Sequence, residues 1–369
     1  MLATLLPHDW FGERSTWLLI VVAVVAIAAL IKGADWLVDS AATAAYRLGL
    51  SKIIIGATIV SLGTTSPEAA VSVMAAWAGN PGLALGNGVG SIIVDTGLIF
   101  GLGCLFATLP ADRFVLNRQG WVQVGAAALL AAVCYTVFIM HGDTAAVGRA
   151  VGMVFAILLV AYMVISVRWS RRHPYGEPHL MADTPTQTDA EVLNFEGDAL
   201  PIDTSVPMWS LICWGVAGLA VVVLASDVLV GSATELAERA SVPQVVLAAT
   251  LVAFGTSLPE MAVGLTSLRK GHAELLVGNI IGADILNVLF VIGFAALAAP
   301  LPLVDEPGMA GRYIFLWLHL PTMLLMLGFM RLCIIWAGPT GYFSRWMGVP
   351  LVVGYVAYVV IQLVATAGS

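Results

Sequence analysis

Charge is what this sequence has least of. Asp, Glu, Lys and Arg supply 11% of its 369 residues, where a soluble globular domain carries roughly 25%. With 60% hydrophobic residues and a mean hydropathy of +0.95, that scarcity excludes an ordinary soluble domain and points to a polytopic membrane protein. No basic patch is present, so no nucleic-acid partner is expected. Cysteine is limited to Cys104, Cys134, Cys213 and Cys333, all inside apolar runs and none in CxxC spacing. That argues against a disulfide framework, and the four are expected to be small buried hydrophobes. His8, His141, His173, His179, His272 and His319 show no metal-ligand spacing. No GxGD or HExxH motif occurs, and an enzyme is not expected. A secretory signal is not expected either, because the first apolar run continues past 20 residues and reads as a first span.

Long apolar runs, by contrast, are plentiful. Ten could each cross a bilayer, near 17–38, 51–77, 81–108, 120–140, 146–167, 208–232, 244–267, 273–299, 312–334 and 346–366. One long polar connection, 168–207, separates five spans from five. It carries Asp183, Asp189, Glu191, Glu196, Asp198 and Asp203 without EF-hand spacing, and reads as a solvated linker. Loops after odd-numbered spans hold eleven Lys and Arg (Arg47, Lys52, Arg113, Arg118, Arg168, Arg171, Arg172, Arg269, Lys270, Arg331 and Arg345). The N-terminus and the even-span loops hold four: Arg14, Arg149, Arg239 and Arg312. Positive charge stays inside, so the linker is expected in the cytoplasm of a cell (inner) membrane, with both termini outside.

The two halves repeat each other. "GTTSPEAAV" at 63–71 returns as "GTSLPEMAV" at 255–263, and "GNGVGSIIVD" at 86–95 as "GNIIGADILN" at 278–287, both 192 residues later. Five spans per half is an odd number, so the second half is inverted relative to the first. Transporters of that build bind substrate near the midplane, at interrupted helices.

Chemistry follows from what is repeated. Pro67 and Pro259 lack an N–H, which frees the carbonyls of Gly63 and Gly255. A free carbonyl at membrane depth must face protein or a water-lined cavity. With the hydroxyls of Thr64, Thr65, Thr256 and Ser257 and the carboxylates of Glu68 and Glu260, an all-oxygen surface results, which is what hard cations bind. Ser91 and Asp95 lie one helical turn apart. Gly86 and Gly90, like Gly278 and Gly282, would let backbones approach closely. Glu68, Asp95, Glu260 and Asn287 could then meet at one point. Lys32 is left inside the first span, and the repeated motifs themselves hold no lysine or arginine, so carboxylates at that depth need cations or protons as partners. Asp284 has no acidic counterpart, since Ile92 stands there, and reads as either an entry site or a solvated rim residue. Asp35 and Asp227 are expected to cap or pair locally.

These motifs resemble the two alpha repeats of the sodium/calcium exchanger family, within the calcium/cation antiporter superfamily, in its prokaryotic form. The resemblance covers the whole chain. It implies an all-α membrane fold of ten transmembrane helices in two inverted five-helix repeats: 1–167 with an alpha region at 56–103, then 208–369 with one at 248–295. It implies calcium–sodium exchange by alternating access, with helices one and six sliding over the ion-binding core. Its calcium-binding glutamates fall on Glu68 and Glu260. Its hydroxyl and carbonyl ligands fall on Thr64, Thr65, Thr256, Ser257, Ser61 and Ala253, its third-span serine on Ser91, and its central amide/acid pair on Asp95 and Asn287. No cofactor is expected. The partners are calcium, sodium and the lipid bilayer, and the chain is expected to be a monomer or weak oligomer. Two departures stand out. The family's second serine is Ala283, and the order of acid and amide is reversed. The missing hydroxyl keeps a proton-coupled exchanger of the same superfamily open as the alternative.

Overall fold

The computed structural model describes residues 8–77, 79, 81–172, 206–239, 253–304 and 313–367. The acidic part of the linker (173–205) and the start of the seventh apolar run (240–252) lie outside the described residues. Among the described residues, nine helices are long and apolar enough to cross a membrane.

The helices that follow the ten apolar runs are α1 (Thr16–Leu48), α2 (Lys52–Trp77), α3 (Pro81–Phe106), α4 (Arg113–His141), α5 (Arg149–Arg172), α6 (Met208–Arg239), α7 (Leu258–Arg269), α8 (Ala273–Ala298), α9 (Phe315–Ala337) and α10 (Gly348–Ala367); α7, with 12 residues described, is the one outside the nine. Local chemistry sets the clearer ends. Ser15 caps α1 by accepting a hydrogen bond from Leu18 N at 3.3 Å. Gly49 ends that helix at φ 62°, a left-handed turn that glycine adopts without strain. Asp112 caps α4 through Phe114 N and Val115 N at 2.8 and 3.0 Å.

Burial separates core from periphery. The apolar stretches of α2, α3 and α8 are 67, 78 and 83% buried, those of α1, α5, α6 and α10 only 22–28%. The poorly buried helices present apolar surface outward, as lipid contact requires. Cys213, on α6, is exposed for the same reason, so the expectation that all four cysteines are buried fails there. α1 and α6 pack mainly on each other. A Cβ on Gly33 would lie 2.9 Å from Gly218 O, and one on Gly218 2.7 Å from Gly33 O, so their backbones touch at the crossing.

The inversion is visible in pairs of matching contacts. Strand Leu109–Pro110, after α3, pairs with Tyr342–Phe343, before α10. Leu301–Pro302, after α8, pairs with Ala146–Val147, before α5. Gly348 packs on Gly101 O and Gly152 on Gly293 O. The offset is thus 192 residues through α3 and α8 and grows to 196 by α5 and α10.

Helix irregularities repeat as well. Wide, π-type turns occupy Val94–Phe100 in α3 and Asn287–Ile292 in α8. The expected breaks at the prolines differ between halves. α2 runs helically through Pro67, with its irregular turn earlier, at Gly56–Val60. Proline keeps a helical φ, so one lost N–H need not end a helix whose turn has already widened. In the other half the helix does stop. Ala253–Thr256 is helical, Ser257 sits at φ −90°, ψ 9°, and α7 starts with Pro259 in its first turn.

Arg331 also departs from expectation. It is a residue of α9, not of a loop, only 6% exposed, hydrogen-bonded to Asn117 and stacked over Trp121 at 4.5 Å. The amide and the ring face replace part of the guanidinium's hydration, and its Nε and Nη1 have no hydrogen-bond partner among the described residues.

Candidate cation site

Close backbone packing assembles the site. A Cβ on Gly278 would lie 2.1 Å from Ile53 O, and one on Gly282 2.5 Å from both Ala57 O and Ser61 Oγ. α8 therefore lies directly against the wide turn of α2. That turn frees Ala57 O, which accepts the Tyr162 hydroxyl at 2.9 Å. Gly86, at the matching position of α3, meets nothing among the described residues. Its counterpart contact would fall in 240–252, outside them.

The two halves then exchange hydrogen bonds across the centre. Thr65 Oγ1 donates to Glu260 Oε1 at 3.3 Å, and Ser257 Oγ, 192 positions after Thr65, approaches Glu68 Oε1 at 3.5 Å. Ser91 Oγ donates to Glu68 Oε1 at 2.8 Å and lies 3.4 Å from Thr256 Oγ1. Thr64 Oγ1 is 3.3 Å from Ser61 O and 3.5 Å from Asn279 Oδ1. Glu68, Glu260 and Asp284 are all near enough to repel Asp95, and Asn287 neighbours Glu68. The structure therefore brings together Glu68, Glu260, Asp95, Asn287, Thr64, Thr65, Thr256, Ser257, Ser91 and Ser61. Ala253 opens the short helix before the Ser257 break.

All four of Glu68, Asp95, Glu260 and Asn287 are within 1% of full burial. Among the described residues no ion pair reaches any of the three carboxylates. Five of their oxygens have no hydrogen-bond partner: Glu68 Oε2, Glu260 Oε2, both carboxylate oxygens of Asp95, and Asn287 Oδ1. Buried acceptors are almost always satisfied. Orphans on three acids leave an acidic, oxygen-lined centre whose hydrogen-bonding capacity is not filled by the protein's described residues. Among the described residues no three His, Cys, Asp or Glu side chains are grouped as a metal site by themselves. A cation here would depend on neutral oxygens as well as carboxylates.

The asymmetry foreseen at position 283 has a structural consequence. Glu68 receives the Ser91 hydroxyl, whereas the matching position in α8 is the fully buried Ala283, which has no hydroxyl to give, and the hydroxyl bonded to Glu260 is that of Thr65 on α2. Asp284 is 1% exposed, which excludes the solvated-rim reading. Its Oδ2 accepts Thr96 Oγ1 and Gln123 Nε2, each at 2.6 Å. Neither Thr96 nor Gln123 was singled out in the sequence. A glutamine inside the fourth apolar run was the available signal.

Outside the core, Asp35 binds cations rather than the site. Arg269 Nη2 lies 2.7 Å from Asp35 Oδ1, and Lys270 Nζ lies 2.7 Å from Asp39 Oδ2 and 3.4 Å from Asp35 Oδ1. At the entrance to α2, Lys52 Nζ lies 3.0 Å from His272 Nδ1 and 3.7 Å from Glu274 Oε2. Burial and the Lys52 ammonium push the His272 imidazole down to about 4.

Fold and site together define a multi-pass, inverted-repeat membrane protein built around a buried, oxygen-lined acidic centre. A family model described as sodium/calcium exchanger protein matches residues 18–168 and 210–364. The chain belongs to the sodium/calcium exchanger family. It is similar to CaxA of Alkalimonas amylolytica, 32% identical over 334 residues covering 90% of this chain and 95% of that one. The sodium/calcium exchanger MaX1 of Methanosarcina acetivorans is 27% identical over 357 residues, with the same coverages. A solved structure of the sodium-calcium exchanger NCX_Mj matches with a TM-score of 0.72 at 22% identity, over 94% of this chain and 99% of that one, a likeness of fold.

Proposed function

We propose that this protein is a secondary antiporter that moves calcium one way and sodium the other by alternating access at the site around Glu68 and Glu260. The observation that carries the reading is the set of five orphaned oxygens on Glu68, Glu260, Asp95 and Asn287. Calcium takes six to eight oxygens, and carboxylates, hydroxyls and unwound carbonyls supply that kind. Glu68 and Glu260 hold the divalent ion, with Thr64, Thr65, Thr256, Ser257, Ser91 and the carbonyls of Ser61 and Ala253 as neutral co-ligands. Asp95 and Asn287 complete the centre. Exchange follows from competition. Several buried negative charges cannot change sides uncompensated, so the core moves when loaded with calcium or with sodium. The names of the relatives, MaX1 and NCX_Mj, support this reading. Without Arg331, odd-span loops still hold ten basic residues against four, which supports a cytoplasmic linker and outside termini.

The test is labelled calcium uptake by vesicles loaded with sodium and diluted into sodium-free buffer. Uptake that collapses when the sodium gradient is dissipated is expected, and no uptake above protein-free vesicles sinks the proposal. One observation favours proton coupling as the second reading: Glu260 lacks the hydroxyl that Glu68 has. Calcium uptake driven by a pH gradient in the absence of sodium would establish that instead.

A further inference from the structure

We propose that Asp284, Thr96 and Gln123 form a second cation subsite beside the central one, taking a single monovalent alkali ion such as sodium. The cluster joins three helices, with Asp284 on α8, Thr96 in the wide turn of α3 and Gln123 on α4. Asp284 is 1% exposed, Thr96 0% and Gln123 1%. Thr96 Oγ1 donates to Asp284 Oδ2 at 2.6 Å, in the range of a hydroxyl bound to a carboxylate, and Gln123 Nε2 lies 2.6 Å from the same oxygen. Gln123 meets that oxygen with its amide NH2, which leaves its carbonyl free. The other half of the cluster is bare, since Asp284 Oδ1 and Gln123 Oε1 have no hydrogen-bond partner. Two orphaned oxygens on adjacent side chains, one anionic, make an incomplete hard-cation shell.

The occupant follows from charge and geometry. One carboxylate balances one positive charge, so a divalent ion would leave an excess that the neutral Thr96 and Gln123 cannot offset. The fold itself does not demand the cluster. Asp284 and Thr96 correspond, 192 positions away, to Ile92 and Val288, which are apolar and fully buried. Two polar residues that meet each other have thus been placed together in one copy only. They also adjoin the departure at Ala283, so α8 lacks a hydroxyl at one position and carries an acid at the next. Asp284 neighbours Asp95 electrostatically, so the two sites share one field. This assignment rests on the transport reading only for the route by which the ion enters.

The experiment counts sodium bound at equilibrium to the purified full chain, using radiolabelled sodium without calcium and without a gradient. Asp284→Asn should bind one sodium fewer per chain than the parent, while Asp284→Glu keeps the count. Thr96→Val, which retains the carboxylate, should weaken one sodium by about tenfold. An unchanged count in Asp284→Asn protein that elutes monodisperse overturns the assignment. If Asp284→Asn does not fold, the Thr96→Val titration decides, and an unaltered sodium isotherm there overturns it equally. The vesicle assay tests calcium exchange separately, so the two proposals can fail independently.

Discussion

Glu260→Gln separates a ligand carboxylate from a structural one. The side chain is fully buried, one oxygen held by Thr65 Oγ1 at 3.3 Å and the other without a partner. Glutamine keeps the shape and removes the charge. Taking one charge from a buried ionic arrangement costs about 3–5 kcal/mol, so calcium binding should weaken by about a hundredfold to a few thousandfold. The effect on stability then has a definite sign. At a calcium concentration about 100 times the parent's Kd, binding stabilises the parent by about 2.7 kcal/mol. In the variant the same concentration falls at or below its Kd, and stabilisation shrinks to about 0.4 kcal/mol or less. Without calcium the order reverses. Glu260 is close enough to repel both Glu68 and Asp95, so losing its charge should raise the calcium-free melting temperature. The assay is thermal unfolding of purified protein with and without calcium, beside vesicle uptake. A variant that keeps the calcium-dependent shift, or melts lower than the parent without calcium, refutes the role given to Glu260.

Gly278→Ala puts a Cβ 2.1 Å from Ile53 O, where only backbone could yield; a loss of at least about 1–3 kcal/mol should appear as a lower melting temperature, and parental melting would show that α8 is free to shift. His272 should make stability fall with acid. Its folded value is about 4 against an ordinary 6.5, so between those values the unfolded chain binds the extra proton and stability declines as pH drops. Lys52, Asp39 and Lys270 face the same ring electrostatically, and His272→Gln should flatten that part of the pH–melting curve while leaving the rest. The Asp39–Lys270 pair links α1 to the end of α7 at 2.7 Å. Asp39→Lys and Lys270→Asp should each change the exchange rate, and the double reversal should restore it, with a coupling of about 0.2–1 kcal/mol; strictly additive single effects would show the pair to be incidental.

Much of this organisation is readable in the chain because polar residues inside apolar runs are costly and few. Glu68, Glu260, Asp95 and the motif hydroxyls stand out against lipid-compatible neighbours, and their recurrence at one offset implies inversion once the spans are counted. What stays hidden is geometry that composition does not encode. Wide turns at Gly56–Val60, Val94–Phe100 and Asn287–Ile292 need one extra residue per turn and no particular residue type. Proline marks both halves alike, yet α2 continues through Pro67 while the chain stops at Ser257. The proline alone therefore does not decide between the two. Arg331 looks like a loop charge because its shelter is remote: Asn117 and Trp121 are more than 200 positions away. Gln123 gains meaning only when α8 places Asp284 against it.

The departures from two-fold symmetry bear on transport more directly than the symmetry does. In a perfect inverted repeat, opening inward and opening outward would be the same conformation seen from opposite sides and would have equal free energy. Here they differ on at least three counts. Ser91 on α3 donates to Glu68, while α8 has Ala283 at the matching position and Glu260 is held by Thr65 of the other half. Asp284 adds a charge beside one half of the centre only. Asp35 and Asp39 clasp Arg269 and Lys270, whereas their counterparts after 192 residues are Asp227 and Gly231, and the positions matching the two cations are Trp77 and Ala78. Ion pairs of this exposure are worth up to about 1 kcal/mol each. A clasp of two acids and two bases therefore biases a two-state equilibrium by at most about thirtyfold toward a state in which α1 is held against α7. Under the alternating access proposed above, this clasp between α1 and the end of α7 enters the balance between the two faces of the unloaded protein.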